Sequence, residues 1–319
     1  MKRIKVNSVL LLSLLLVAFL TVSVSATEYL SIATGGMAGT YYPVGGAISS
    51  IINANVKGVS STVESTGATV ANCNLIKSNS AELAITAANV TYNAFEGIGS
   101  FEGDPVKNMA GITCLYPEAV QFVTLEKSGI KSVSDLKGKK VAVGAPGSGT
   151  EVMAREILNI YNMSYDDITE DFLSFGEAAT GLKDNTISAG LIWAGVPTAA
   201  IVDISSQKQI RIIAIDREKL DALKAKMPYC ADHLIKDGTY PGFEEDVMTV
   251  AIPAMLVCST DLSEDLVYNI TKVIFEHTED LIAAHVRGKD ITIETALNGM
   301  SIPLHPGAEK YYKEVGLIK

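Results

Sequence analysis

The chain has 319 residues, of which 48% are hydrophobic and 19% charged, and a formal charge of −10 at pH 7. Such length and apolar content allow two sizeable cores and argue against a disordered or fibrous chain. The acidic balance and the lack of a basic run argue against recognition of nucleic acid or an anionic membrane through net charge.

The predicted elements begin with a leader. Lys2, Arg3 and Lys5 precede Val9 to Leu20, apolar but for Ser13, and Val22-Ser23-Val24-Ser25-Ala26 follows with small residues. This reads as a secretory signal peptide over 1–26, cut before Thr27, because the apolar stretch falls short of the roughly 20 residues that cross a bilayer. An exported, periplasmic protein follows from that reading, and no later segment looks membrane-spanning.

From Glu28 the chain repeats a short apolar run, a Gly/Ser/Thr/Asn loop and an amphipathic stretch, as βα units on parallel sheets do. Strands are expected near Tyr29–Ala33, Ser61–Glu64 and Leu83–Thr86, with a helix opening at Pro43 and reaching about Asn53, and another carrying Val70, Cys73 and Ile76. Ala87-Ala88-Asn89 reads as the loop after the third strand. Near Ile112–Pro117 the pattern breaks, and Val120–Leu125 passes into a second set of units with strands at Lys139–Gly144, Phe172–Ser174, Ile187–Trp193 and Ile210–Ile215. Pro197 is placed at a further helix start. Val247 to Cys258 reads as a strand that returns the chain, since Pro253 and β-branched residues disfavour a helix, and a single helix is expected over Glu264–His285. The expectation is therefore α/β, with residues 27–118 plus 251–319 in one lobe, 119–250 in the other, and a cleft that closes about a hinge.

Ligands of open parallel sheets sit beyond the carboxyl ends of the strands. That brings the loops at Gly36, Thr66, Asn89, Ser148 and Trp193 toward one cleft, with Tyr41 either packing under a ligand or covering it. Gly147-Ser148-Gly149-Thr150 suits a small anion, through unpaired amides at a helix start. It lacks the Gly-Lys-Ser/Thr of a P-loop and the G-x-G-x-x-G spacing of a dinucleotide site. Tyr116 and Trp193 either pack or line the cleft, and Glu118 either meets a ligand amine or caps the hinge. Enzymatic readings find no support: Ser148 lacks the G-x-S-x-G elbow, and His233, His277, His285 and His305 are scattered. Cys73, Cys114, Cys230 and Cys258 show no metal-ligand spacing; buried thiols or disulfides both remain open. Neither metal nor cofactor is expected.

In chain order, Ala33 to Gly46, Leu115-Tyr116-Pro117-Glu118, Asp135 to Thr150, Gly238-Thr239-Tyr240-Pro241-Gly242 and Ile302 to Ala308 with Tyr311-Tyr312 resemble the TAXI family. These are the extracytoplasmic solute receptors of tripartite ATP-independent periplasmic (TRAP) transporters. The resemblance covers the whole chain after the leader. It implies a type II periplasmic binding protein fold, two lobes with mixed, mainly parallel sheets around a central cleft. It also implies a monomer that delivers a C4–C5 dicarboxylate such as 2-oxoglutarate, or glutamate, to a TRAP membrane permease without catalysis, with contacts at Gly36, Met37 and Thr40, at Thr66, Gly67 and Ala68, at Ser148, Gly149 and Thr150, and at Tyr116, Trp193 and Gly195. Relatives often show Gln-Ser-Asp where this chain has Ala87-Ala88-Asn89, which favours an acid without an amine unless Glu118 or Glu151 supplies the partner. A receptor for an ATP-driven importer, a sensor, and a periplasmic-binding-like enzyme are the alternatives.

Overall fold

A computed structural model describes residues 27–319; the leader read over 1–26 lies outside them. The first half alternates β1 (Glu28–Ala33), α1 (Tyr41–Asn55), β2 (Val59–Glu64), α2 (Thr69–Lys77), β3 (Leu83–Ala87) and α3 (Ala88–Glu96). In α1 Val44, Ile48, Ile51 and Ile52 are buried at helical spacing, so one face packs on the sheet while Ser50, Asn53 and Asn55 face out. The close approach of α1 to β1 needs Gly45, since a Cβ there would lie 2.5 Å from Thr34 Cγ2. The helix opens at Tyr41, two residues ahead of Pro43, with Pro43 inside its first turn where a proline is tolerated.

One 17-residue strand, β4 (Met109–Leu125), replaces the break expected at Ile112–Pro117. Beyond it lie β5 (Lys140–Ala142), α4 (Gly149–Ile160), β6 (Thr169–Asp171), α5 (Phe175–Lys183), β7 (Ala189–Ala194), α6 (Ala199–Ser205), β8 (Ile210–Ile213), α7 (Arg217–Lys226) and β9 (Ala231–Ile235). The sixth strand ends before Phe172, because Ser174 and Glu177 form a capping box that starts α5. Pro197 lies two residues ahead of α6.

β10 (Val247–Ser259) returns antiparallel to β4. All ten strands join in one mixed sheet, ordered β2-β1-β3-β10-β4-β7-β5-β6, with β8 on β4 and β9 on β10. Parallel pairs β1–β2, β1–β3, β5–β6 and β5–β7 occupy its two ends, and the antiparallel strands β4 and β10 run through the middle. Ala119 and Ala251 form the last pair between those two strands; beyond them β4 pairs with β7 and β8 and β10 with β9. Just inside that pair Pro117 stands opposite Pro253, next to a register shift. Neither facing proline has an N–H to give to the ladder.

The tail is helical but not continuous. α8 (Glu264–Glu276) stops at His277, whose φ of −125° and ψ of 39° are not helical, and α9 (Thr278–Ala284) turns to lie along α1 before α10 (Pro306–Glu314) closes on α8. Two apolar clusters belong to the two ends of the sheet: Ile32, Ile48, Leu256, Ile270 and Tyr312 at one, Val123, Leu182, Ile192, Ile201 and Ile212 at the other. Cys73, Cys114, Cys230 and Cys258 are buried free thiols.

Candidate functional site

The carboxyl ends of β1, β2, β5 and β6 each feed a loop that opens a helix, and the four loops meet over one cavity of about 80 Å³. Such a volume is small beside the few hundred Å³ of drug-sized pockets. From the first loop come Gly35, Gly36, Gly39, Thr40 and Tyr41; from the second, Thr66, Gly67, Ala68 and Thr69. Ala145, Ser148, Gly149 and Thr150 come from the third, Ser174 and Phe175 from the fourth, and Glu118, Trp193 and Ala194 from the strands beneath.

The starts of α1, α2, α4 and α5 thus point into one small space, each with backbone N–H groups that have no intrahelical partner. Two are left without a side-chain cap. Thr40 precedes α1, but its hydroxyl donates to the Gly195 carbonyl at 3.2 Å. Ala68 precedes α2 with φ 70° and ψ −149°, a region that only glycine adopts without strain. Ser148 and Ser174 do cap their helices, accepting from Glu151 N at 3.1 Å and Glu177 N at 3.3 Å.

Among the described residues Glu118 is the one carboxylic acid in the wall, and no Lys, Arg or His lines it. The residue is 2% exposed, and its carboxyl accepts from Tyr41 Oη at 2.7 Å. Burial pushes its pKa up from 4.5 to about 8, against the lowering effect of the Tyr41 bond. Tyr41 Oη lies 3.3 Å from Thr69 Oγ1, which in turn accepts from Ala87 N at 3.2 Å. Trp193 Nε1 donates to the Glu118 carbonyl at 2.9 Å, locking the indole against the strand that carries the acid.

The halves touch across the cleft through backbone bonds, Ala71 N to Gly147 O at 3.0 Å and Ala200 N to Ala38 O at 3.1 Å. These bonds bring the cleft together at two points, between α2 and the loop that opens α4 and between α6 and the first loop.

Most of the residues singled out from the sequence lie in this wall: Gly36, Thr40, Tyr41, Thr66, Gly67, Ala68, Glu118, Ser148, Gly149, Thr150 and Trp193. Four do not. Met37 is 70% exposed at the tip of its loop. Gly195 lies one residue past β7, where its carbonyl takes the Thr40 and Thr198 hydroxyls. Tyr116 is two residues back along β4, its buried hydroxyl without a partner among the described residues. Asn89 sits in the first turn of α3, with Nδ2 3.6 Å from Met227 Sδ. Ala87 and Ala88 are likewise buried and outside the wall. Reading the sequence missed Ser174 and Phe175, although the Ser174-x-x-Glu177 pattern was there to mark a helix start.

The periplasmic aliphatic sulphonate binding protein SsuA from Escherichia coli superposes with a TM-score of 0.51 at 16% identity, covering 90% of this chain and 83% of that one. The alkanesulfonate-binding protein SsuA from Xanthomonas axonopodis pv. citri, bound to MOPS, gives 0.52 at 14% identity over 90% and 84%. A structure described as a periplasmic transporter gives 0.51 at 15% identity over 91% and 93%. The architecture is thus the two-lobed α/β fold of periplasmic binding proteins. Among the described residues no helix is long and apolar enough to cross a membrane. The model of the NMT1-like family matches residues 32–316, nearly the whole described chain, and on that match the protein belongs to the NMT1-like family.

Proposed function

We propose that this protein is an exported solute receptor that closes on a small organic acid, a C4–C5 dicarboxylate such as 2-oxoglutarate or glutamate, and delivers it to a TRAP-type permease. The observation that carries the reading is the meeting of four helix starts over a small closed cavity with no basic side chain in its wall. Aligned N–H groups are the remaining source of positive potential there, and they receive a carboxylate without a guanidinium clamp. The lobes in this reading are 27–118 plus 251–319 and 119–250, hinged where Pro117 faces Pro253, with the leader 1–26 directing export. The TRAP assignment rests on the TAXI-like motifs at Ala33–Gly46, Leu115–Glu118 and Asp135–Thr150. No catalytic step is assigned; the Ser148 hydroxyl is engaged as the cap of α4, accepting from Glu151 N at 3.1 Å.

Thermal unfolding of the chain from Thr27, freed of carried-over ligand and scanned against 2-oxoglutarate, succinate, glutamate, aliphatic sulfonates and inorganic anions, tests the receptor. A ligand at 100 times its dissociation constant adds about 2.7 kcal/mol, and the midpoint rises by a few degrees. Silence across the panel refutes the small-acid reading. Uptake by proteoliposomes holding the permease separates the transporter classes: the TRAP reading requires an ion gradient and no ATP.

A further inference from the structure

Glu118 is a buried acid without a cation. The groups that face it are Tyr41 from α1, with Thr69 of α2 behind that hydroxyl, Trp193 from β7, and Tyr116 on its own strand. Ile252 stands opposite on β10. Arg287, whose stem packs at Gly195 just outside the wall, is paired with Asp290 at 3.1 Å.

The hydrogen bond from Tyr41 has a direction. Tyr41 donates to Oε2, so the other oxygen, Oε1, is the place for the carboxyl's own proton. A bound acid anion and an ionised Glu118 would share a cavity of about 80 Å³ with nothing positive between them except backbone dipoles. Like charges in a space that small and dry do not both persist; one of them takes a proton.

Resting on the receptor reading above, we infer that Glu118 holds the ligand as a neutral carboxylic acid, donating its O–H to an oxygen of the bound anion. The receptor thereby selects acids that bring no ammonium group, and capture of the acid is linked to one proton at this residue. Burial in the closed cleft raises the carboxyl to about 8, and an anion beside it acts in the same direction. Tyr41 is then a positioning residue, fixing which oxygen of Glu118 faces the ligand.

The test compares wild type with Glu118→Gln, whose amide keeps a donor and an acceptor but never ionises. Calorimetric titration with 2-oxoglutarate and with glutamate is run from pH 6 to 10. In wild type the affinity for 2-oxoglutarate is expected to be level below about pH 8 and to fall tenfold per pH unit above it. E118Q should bind 2-oxoglutarate within threefold of wild type at pH 7, with the pH dependence gone. Preference for glutamate, together with a loss of a hundredfold or more in E118Q, overturns the inference, because the carboxyl would then be an ionised partner of an ammonium group. Carbon-13 NMR of glutamate-labelled, ligand-free wild type, with the Glu118 signal identified by its absence in E118Q, decides independently of any ligand. A midpoint near 8 supports the neutral acid and one near 4.5 overturns it, even where neither acid binds and the receptor reading itself fails.

Discussion

Closure of the cleft depends on the absence of a side chain at Gly149. A Cβ there would lie 3.1 Å from Thr69 Oγ1, 3.3 Å from Thr69 Cβ and 3.2 Å from Trp193 Cζ3. Thr69 belongs to α2, across the cleft, and cannot swing away freely because its hydroxyl is tied to Tyr41 Oη and Ala87 N. Gly149→Ala therefore acts as a wedge whose Thr69 contact exists only in the closed form. Overpacking of a well-filled site costs about 1–3 kcal/mol. The Trp193 contact stays within one half, so roughly 1–2 kcal/mol falls on closure, a factor of about 5–30 in affinity. Within the open form the same alanine replaces a glycine at the start of α4, a gain of up to about 1 kcal/mol that offsets the Trp193 contact. Titration of Trp193 fluorescence, from the one tryptophan in the chain, with whichever acid the wild type binds gives the dissociation constant. Thermal unfolding of the ligand-free protein gives the stability. Gly46→Ala on α1 serves as control, because its Cβ would meet nothing within 4 Å, and it should leave affinity alone. A dissociation constant within twofold of wild type for a folded Gly149→Ala protein refutes the wedge.

Ala68→Gly should stabilise the protein by about 1 kcal/mol in urea unfolding, since relief of roughly 1–3 kcal/mol of backbone strain at φ 70° exceeds the entropy glycine returns to the unfolded chain; a loss of stability would show that Ala68 is not strained. Glu118 has a folded pKa of about 8 against the ordinary 4.5, so its native form binds more protons between those values. Its contribution to stability is complete below pH 4.5 and is lost as pH rises through 8, with a ceiling of about 5 kcal/mol. Wild type should accordingly lose urea stability relative to E118Q between pH 5 and pH 9, and parallel curves would contradict the buried acid. Burial pushes the thiols of Cys73, Cys114 and Cys230 up to about 12 and that of Cys258 higher still, so none should react with a disulfide reagent at pH 8 in the native protein and all four should react after unfolding. Rapid labelling of any of them in the native state would place that thiol at the surface.

What the sequence made legible follows period and punctuation. β1, β2 and β3 could be read because short apolar runs alternate with glycine- and serine-rich loops, and α1 because its apolar residues recur at helical spacing. The long strand β4 was harder: Pro117 interrupts it, and a proline in a central strand normally argues against that assignment. The helix expected over Glu264–His285 was one helix by pattern, yet it breaks at His277, because packing of α9 on α1 decides the path and leaves no mark in the spacing. The fourth loop of the site was missed for a related reason, as Phe172 looks like a strand residue while the local Ser174–Glu177 box is what starts the helix.

The two prolines show why the site and the hinge were legible to different degrees. A loop announces itself through residues that do one job locally, such as Gly36, Gly67 or Ser148. The proposed hinge is a relation between two strands well over a hundred residues apart in the chain: Pro117 and Pro253 face each other, and neither proline reveals its partner. One residue beyond Pro117 on β4 stands Glu118, so the acid lies at the point about which the lobes would turn. Bending there moves Trp193, bonded to the Glu118 carbonyl, and Tyr41, bonded to its carboxyl, relative to one another. The surroundings that keep Glu118 dry are thus completed by closure itself. Opening the cleft admits water and lowers the cost of ionising the acid, so a rise in pH should favour the open form and release of the ligand. Small-angle scattering of the ligand-free protein gives the check: the radius of gyration should grow between pH 6 and pH 9.5 in wild type and stay constant in E118Q, and an equal response in both would separate the acid from the hinge.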